Sequence, residues 1–269
     1  MIRWSIDARY LARHSLETRS LKYAYMDEAG TSEREQVSVV LSVIVDADAQ
    51  WRSAEAEIIE AVKTIPRHLL EGFVYSAKVV YNDPKFRRGW ADEDRFAFLY
   101  RMMSIPRKLR IPICFGFQRR GNEIDPNLLI TPPGVADLKA WQMDHLSAFM
   151  ECTWEIEDFM KANTPPNEAC SIKAECMDME PTLNKALRFM KRMPVPGVGT
   201  PIVQRIIDKI EFLEKDDSPM LWLADSCAYA FRRFLAGQKY GDEAIETVVG
   251  HRLEPNDWAV DSRSATFRF

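Results

Sequence analysis

The chain is poor in the residues that zinc, disulfide and membrane proteins depend on. It has four histidines and five cysteines in 269 residues, with no CxxC pair, too few soft ligands in the wrong spacing for a structural zinc site. The cysteine number is odd, and Cys114, Cys152, Cys170, Cys176 and Cys227 lie inside apolar segments. That pattern argues against a disulfide framework and predicts reduced core thiols in a cytoplasm. No apolar run approaches the roughly 20 residues of a membrane span. The opening "MIRWSIDARYLARHSLETRS" lacks the apolar stretch of a signal peptide. The expectation is a cytoplasmic protein with no membrane partner. An excess of base is also missing: 36 Lys and Arg against 40 Asp and Glu give a net charge of -4. No global positive field draws this chain to nucleic acid, so any such binding must use a local patch. Without a GxSxG or a Cys and His signature, hydrolysis by a serine or cysteine nucleophile has no support.

What the chain has is a sizeable apolar share, 46%, enough for one large core or two small ones. Residues 1–20 read as an N-terminal arm, 21–249 as the domain and 250–269 as an extended C-terminal tail. Within the domain, a strand at 22–27 is followed by "VSVVLSVIV" at 37–45, apolar on both faces as an interior strand is. A helical pattern from Gln50 to His68 gives way to "FVYSAK" at 73–78, read as strand, and helix returns at 92–104. "RIPICFGFQ" at 110–118 is strand-like, with Pro112 marking an edge or a strand start. A loop at 119–134 leads to the longest helix, about 136–162, with Leu138, Trp141, His145, Phe149, Cys152, Ile156 and Phe159 at spacings of three and four. A strand at 169–176, a helix at 182–192 and a strand at 206–214 follow. "DDSP" then opens a closing helix, with Ser218 as its cap and Pro219 in its first turn.

Strands and helices therefore interleave after an initial strand pair, the pattern of an α/β sheet covered by helices. The connector "EAGTSEREQ" is too short for a crossover helix, so the first two strands should pair antiparallel. The first strand ends in acid: "YAYMDEAG", residues 23–30, delivers Asp27 and Glu28 into a glycine turn. In the closing helix Met220, Leu223, Ala224, Cys227, Phe231 and Phe234 form one apolar arc, and Asp225 sits just outside its edge. An acid ending the first strand, an antiparallel strand pair and a late helix with a second acid describe a ribonuclease H-like mixed sheet. If the helix packs near the strand end, Asp27 and Asp225 converge, and two close carboxylates repel unless a cation lies between them. Hard oxygen donors point to Mg²⁺ or Mn²⁺.

Three segments resemble one family. "YAYMDEAG" is similar to the "YIDESG" opening of the domain of unknown function 3800 family. "FVYSAK" resembles its "FHAK" segment, and "DSPMLWLADSCAYAFRRFLAG" its "DS...LQLADLVAYAV.R" helix. The resemblance spans about Lys22 to Gly237. It implies a ribonuclease H-like fold and a metal-dependent nuclease of bacterial or phage origin. It places the strand acid at Asp27 with Glu28 beside it, a lysine at Lys78 and the helix acid at Asp225. The chain departs from the family at Ala29, where serine is usual, and at Ser76, where the family has histidine.

A two-metal site needs a third acid, and "IKAECMDMEP" offers Glu175, Asp178 and Glu180. Alternation puts Ile172, Ala174 and Cys176 on one strand face and Lys173 and Glu175 on the other. Glu175 is the preferred third ligand because it ends a strand as Asp27 does. Asp178 is a second candidate with a competing role as helix cap, and Glu180 a first-turn charge. The reading is of catalytic Asp27, Glu175 and Asp225, with Lys78 steadying a phosphate oxygen and Asp27, Glu28, Glu175, Asp178 and Asp225 as the pool of metal ligands. Simpler roles compete. Asp27 can end a strand in an ordinary turn, Asp225 can pair with Arg232, Lys78 can be a solvated lysine, and His145 can be a hydrogen-bonded core residue. The doublets Arg87 and Arg88, Arg119 and Arg120, Lys191 and Arg192, and Arg232 and Arg233 can track a phosphate backbone only if they cluster beside the acids. Trp90, Trp154 and Trp222 can stack bases or pack. The competing class is a ribonuclease H-like scaffold without chemistry, an interaction or regulatory module in phage defence or on a mobile element.

Overall fold

The computed structural model describes residues 21–121, 132–133, 135, 138–194, 199–253 and 264–269; the expected N-terminal arm and most of the 119–134 loop lie outside them. Strand β1 (Lys22–Ala29) pairs antiparallel with β2 (Val37–Asp46), placing Asp27 opposite Leu41. Nine of the ten β2 residues are buried, as its two apolar faces require. Strand β3 (Ile113–Arg119) runs antiparallel on the far side of β2, so Pro112 precedes an interior strand rather than an edge. Strand β4 (Cys170–Glu175) lies parallel to β1 with Met26 beside Ala174, and β5 (Glu211–Leu213) lies parallel to β4. Strand β6 (Ser264–Phe267) pairs with β3, so part of the expected tail is built into the sheet. The order is β5-β4-β1-β2-β3-β6. An antiparallel β1-β2-β3 meander with parallel strands added beside β1 is the ribonuclease H-like mixed sheet that the sequence predicts.

Helices cover both faces. On one face α1 (Trp51–Val62), α2 (Ala77–Asn82), α3 (Pro84–Gly89), α4 (Asp92–Lys108), α7 (Pro219–Leu235) and α8 (Gly241–Val249) enclose Tyr25, Leu41, Val43 and Phe115. On the other α5 (Ala140–Asn163) and α6 (Glu180–Met190) enclose Ala24, Met26, Ile44 and Ile172. The side-chain alternation of β1 sorts these two cores, Tyr25 to one and Met26 to the other. Helix α5 presses so close to β3 that a Cβ on Gly116 would lie 2.3 Å from the Ala148 carbonyl oxygen. Helix α7 is sandwiched between the sheet and the helices outside it, so nearly all its residues are buried. Ser218 caps it by accepting from the Met220 N–H at 3.3 Å, with Pro219 in the first turn. Among the described residues no helix is long and apolar enough to cross a membrane.

Two expected strands are not strands over their predicted lengths. "FVYSAK" runs without regular structure to Ser76 and then enters α2. Its alternation comes from Phe73 and Tyr75 packing on Trp222, not from pairing in the sheet. In 206–214 only Glu211–Leu213 joins the sheet, with a single bridge from Ile206 to Cys170. Asp208, at φ 54°, breaks the run between them. Helix α8 follows α7, so α7 does not close the helical set.

Candidate functional site

Strands β1, β4 and β5 are parallel, so their carboxyl ends lie at one edge of the sheet, where open α/β sheets place ligands. Asp27 ends the buried part of β1, Glu175 ends β4, and β5 runs on into a 3₁₀ turn, Lys215–Asp217. Because Met26 pairs with Ala174, the next residues, Asp27 and Glu175, are neighbours, and both turn toward the α7 face. Helix α7 brings Asp225 down from above. The turn after β1 needs Gly30, whose φ is 86° and whose Cβ would sit 1.9 Å from the Val37 carbonyl oxygen.

The three carboxylates meet at one point, and Lys215 occupies it. Its Nζ lies 2.7 Å from Glu175 Oε2, 3.1 Å from Asp27 Oδ2 and 3.3 Å from Asp225 Oδ1. Asp27 is 2% exposed, Asp225 8%, and the Lys215 side chain 10%. The remaining oxygens are held by backbone: Asp27 Oδ1 accepts from the Glu28 N–H at 2.7 Å and Asp225 Oδ2 from the Ala77 N–H at 2.6 Å. Asp27 Oδ2 is buried, and its contact with Lys215 falls outside hydrogen-bond geometry. The Lys215 carbonyl accepts from Trp222 Nε1 at 3.0 Å, and Asp217 Oδ2 accepts from the Glu214 N–H at 3.2 Å. These bonds fix the turn that aims the lysine.

One ammonium against four carboxyl groups, Glu28 included, leaves the cluster short of positive charge. Burial raises the Asp27 carboxyl well above its ordinary range; Lys215 opposes this, while Asp225, Glu28 and Glu175 add to it. Glu28 is pushed up to about 8, first by burial and then by Glu175. Asp225 is raised by burial against the pull of Lys215 and the Ala77 N–H. Burial alone would lower the Lys215 ammonium, but Asp27, Asp225 and Glu175 outweigh it and hold it above its usual value. The lysine is therefore charged, and the acids compete for it. The scale supports that outcome: unit charges about 3 Å apart attract by ~5 kcal/mol at an effective dielectric near 20.

The cluster forms the floor of a cleft of about 250 Å³, walled by Gly30, Glu35, Ser76, Lys78, Tyr229 and Arg232. Lys78 lies on α2 rather than a strand. It is 66% exposed at the rim, its Nζ 3.7 Å from Glu35 Oε1. Arg232 does not pair with Asp225; it binds Glu35 Oε2 at 2.5 Å and Gln238 Oε1 at 3.1 Å. Asp178 is exposed in the turn before α6 and stands outside the cleft lining; the cap of α6 is Met179, which makes no side-chain cap bond. Glu180 accepts from the Met177 N–H at 3.3 Å.

The other singled-out residues serve the fold. Arg233 is buried against Tyr81 and Tyr229, Arg119 donates to the Leu235 carbonyl, Arg120 to the Ser32 carbonyl, and Lys191 to the Asp208 carbonyl. Of the basic doublets, Arg232 alone lines the cleft among the described residues. Trp90 and Trp222 pack on Phe98 and Tyr75, and Trp154 is an exposed donor to Asp158. His145 is buried with no hydrogen-bond partner at either ring nitrogen among the described residues, and burial lowers it to about 4.

Sequence reasoning missed Lys215 and Glu35. Lys215 had a signal: it lies two residues past the end of β5, at the edge where Asp27 and Glu175 end their own strands.

The donor set suits a divalent ion. Its oxygens are hard, they come from three separate elements, and a buried one, Asp27 Oδ2, has no hydrogen-bond donor. As the side chains stand, no group of three or more His, Cys, Asp or Glu among the described residues is arranged to hold a metal; the shared centre holds the ammonium.

Neither a scan against protein-family models nor a search of curated proteins returned a match. Among solved structures, the chain is similar to Bst-RNase HIII, crystallised in complex with Mn²⁺, at 17% identity and a TM-score of 0.39. The match covers 91% of this chain and 59% of the other, so the chain spans less than two thirds of that relative's length.

Proposed function

We propose that the protein is a divalent-metal-dependent phosphodiester hydrolase acting on RNA or DNA, and that it belongs to the domain of unknown function 3800 family. One observation carries the reading: Asp27, Glu175 and Asp225, from β1, β4 and α7, bring oxygens to a single cation position at the end of the parallel strands. Surface ion pairs form wherever long side chains meet and are worth little. Three acids on one buried cation, with a fourth beside them, are costly to hold, and such clusters of perturbed acids concentrate at functional sites.

In this reading Asp27, Glu175 and Asp225 hold Mg²⁺ or Mn²⁺, with Glu28 next to them, and Asp178 takes no part. When bound, a divalent ion supplies Lewis-acid charge to the attacking water and to the leaving oxygen of a phosphodiester. The chain's own groups do the positioning. Asp225 is aimed by the Ala77 N–H and Asp27 by the Glu28 N–H. Lys78 and Arg232, both paired to Glu35 at the cleft wall, are the cations that would meet the phosphate of the substrate. The free cysteines, four of them buried, support a reducing, cytoplasmic setting.

The second reading is a catalytically inactive ribonuclease H-like module, and Lys215 favours it, since an ammonium at the focus of the acids offsets much of their charge without metal. Purified protein incubated with Mn²⁺ or Mg²⁺ and RNA, DNA or their hybrid, single or double stranded, separates the two. Metal-dependent cleavage that chelation stops and Asp27→Asn abolishes supports the hydrolase. Failure to cut any of these forms, or full activity in Asp27→Asn, leaves the inactive module.

A further inference from the structure

We propose that Lys215 is a resident counter-ion that a divalent metal must displace, so that metal loading and release of this ammonium are one event. The inference rests on the metal-binding reading above and concerns how that site is held before it loads. Its basis is position. The lysine Nζ is within 3.3 Å of oxygens from all three acids, and a small divalent ion bound to the same oxygens at about 2.1 Å would need that same volume. The two cations exclude each other.

The structure supports a built device rather than a chance contact. The backbone of Lys215 is fixed by the Trp222 indole and by the turn between Glu214 and Asp217, so the side chain is presented, not merely tolerated. The ammonium is nearly buried, yet Asp27 Oδ2 still lacks a properly directed donor. A monovalent, tetrahedral group therefore holds the acids together but leaves a buried lone pair unused, which is the demand a smaller, doubly charged ion meets. Without the lysine, the acids of an empty site would repel and splay. With it, the site stays assembled at the cost of weaker metal affinity. Once displaced, the flexible lysine stem keeps its charge facing the cleft, beside Lys78 and Arg232.

The test uses the full chain and Mn²⁺ as the probe. By titration calorimetry, Lys215→Met, which keeps the side chain's length without its charge, is expected to bind Mn²⁺ at least tenfold more tightly than the unaltered protein. Its melting temperature should be lower without metal, and Mn²⁺ should close that gap. A second measurement needs no variant. A pulse of acetic anhydride, read by peptide mass spectrometry, should leave Lys215 protected in metal-free protein and label it once Mn²⁺ is added, with exposed Lys63 and Lys108, both outside the cleft lining, as internal references. Equal or weaker Mn²⁺ binding by Lys215→Met, or unchanged Lys215 labelling on adding Mn²⁺, overturns the displacement. If cleavage activity survives in that case, the hydrolase reading stands without it. If neither protein binds Mn²⁺ and neither cuts, both readings fall.

Discussion

On the α7 side of the sheet, Asp27, Glu175 and Asp225 gather on one ammonium with Glu28 beside them; on the α5 side, His145 is buried with no hydrogen-bond partner among the described residues. Both regions bury ionisable groups, and the cost of each appears in the direction of its shift. His145 answers to burial alone and sheds its proton, the cheap solution for a lone base. About three turns further along the same helix, the buried acid Glu157 is satisfied by the Arg205 N–H at 2.8 Å and by Lys161 at 3.2 Å. The α5 side thus neutralises or pairs whatever charge it holds. The cleft side does neither fully: Asp27, Glu28 and Asp225 are all raised although Lys215 opposes each. The fold can thus dispose of buried charge, and at this one edge it keeps an excess.

The most damaging substitution asks whether that excess serves chemistry. Asp27→Asn should lower metal-dependent cleavage of RNA or DNA by about 100-fold or more, since losing a metal-holding group should cost no less than the 10–100-fold lost with a group that only supports one. In the same protein the metal-free melting temperature should rise, because one of several repelling charges is gone while the amide oxygen still accepts from the Glu28 N–H. Lower activity together with lower stability would make Asp27 a structural acid, and the two sides of the sheet would then be alike.

Next in size is Gly30→Ala, read by chemical denaturation. A left-handed φ costs about 1 kcal/mol for alanine. The contact with the Val37 carbonyl adds strain that has no flexible side chain to absorb it, so a loss of about 3 kcal/mol is expected in all. The turn that delivers Asp27 would then be shown to depend on glycine for backbone reasons. A loss below about 1 kcal/mol would mean that the turn relaxes freely.

The pH dependence of stability sets the two sides against each other. His145 has a folded-state value near 4 against about 6.5 unfolded, so the unfolded chain binds the extra proton and stability falls as pH drops through that window. At pH 5 the penalty is about 2 kcal/mol, and His145→Leu should recover most of it while changing little at pH 7.5. Glu28 runs the other way. Its folded-state value of about 8 lies above the unfolded one, so the folded chain holds the extra proton and stability declines as pH rises from about 4.5 to 8. Saturating Mn²⁺ should flatten the decline seen as pH rises toward 8 and leave the His145 decline below about pH 6.5 untouched. A decline toward pH 8 that Mn²⁺ does not alter would separate the carboxyl cluster from metal binding.

The residues that were legible in the sequence are those whose place follows from a local rule. A connector too short for a helix fixed the β1–β2 pairing; strand alternation put Glu175 on the face opposite Ile172 and Ala174; the apolar arc of α7 left Asp225 at its border. Lys215 escaped because "LEKDDSP" reads as a solvated, acid-rich turn. Its meaning comes only from the parallel register of β5 with β4, a long-range fact. "FVYSAK" misled for a related reason: residues packed alternately against a helix show the same period of two as residues in a sheet. The strand read at 206–214 overran because nothing local marks Asp208 as left-handed. Asp178, an acid near a strand end, was weighed as ligand and as cap, and turns into solvent, since the turn before α6 ends on Met179.

The smallest expected effect comes from the rim, where the cleft meets water. Lys78 is 66% exposed and 3.7 Å from Glu35, so Lys78→Ala should change stability by less than about 0.5 kcal/mol. Arg232 also binds Glu35, but it is 6% exposed and braced by Gln238, so its loss should cost more fold and give a less readable result. That makes Lys78 the cleaner probe of substrate contact. If it meets a phosphate, Lys78→Ala should weaken nucleic-acid binding a few-fold and reduce its salt dependence by about one counter-ion. An unchanged salt slope would make Lys78 a bystander and leave phosphate contact to Arg232 and the displaced Lys215.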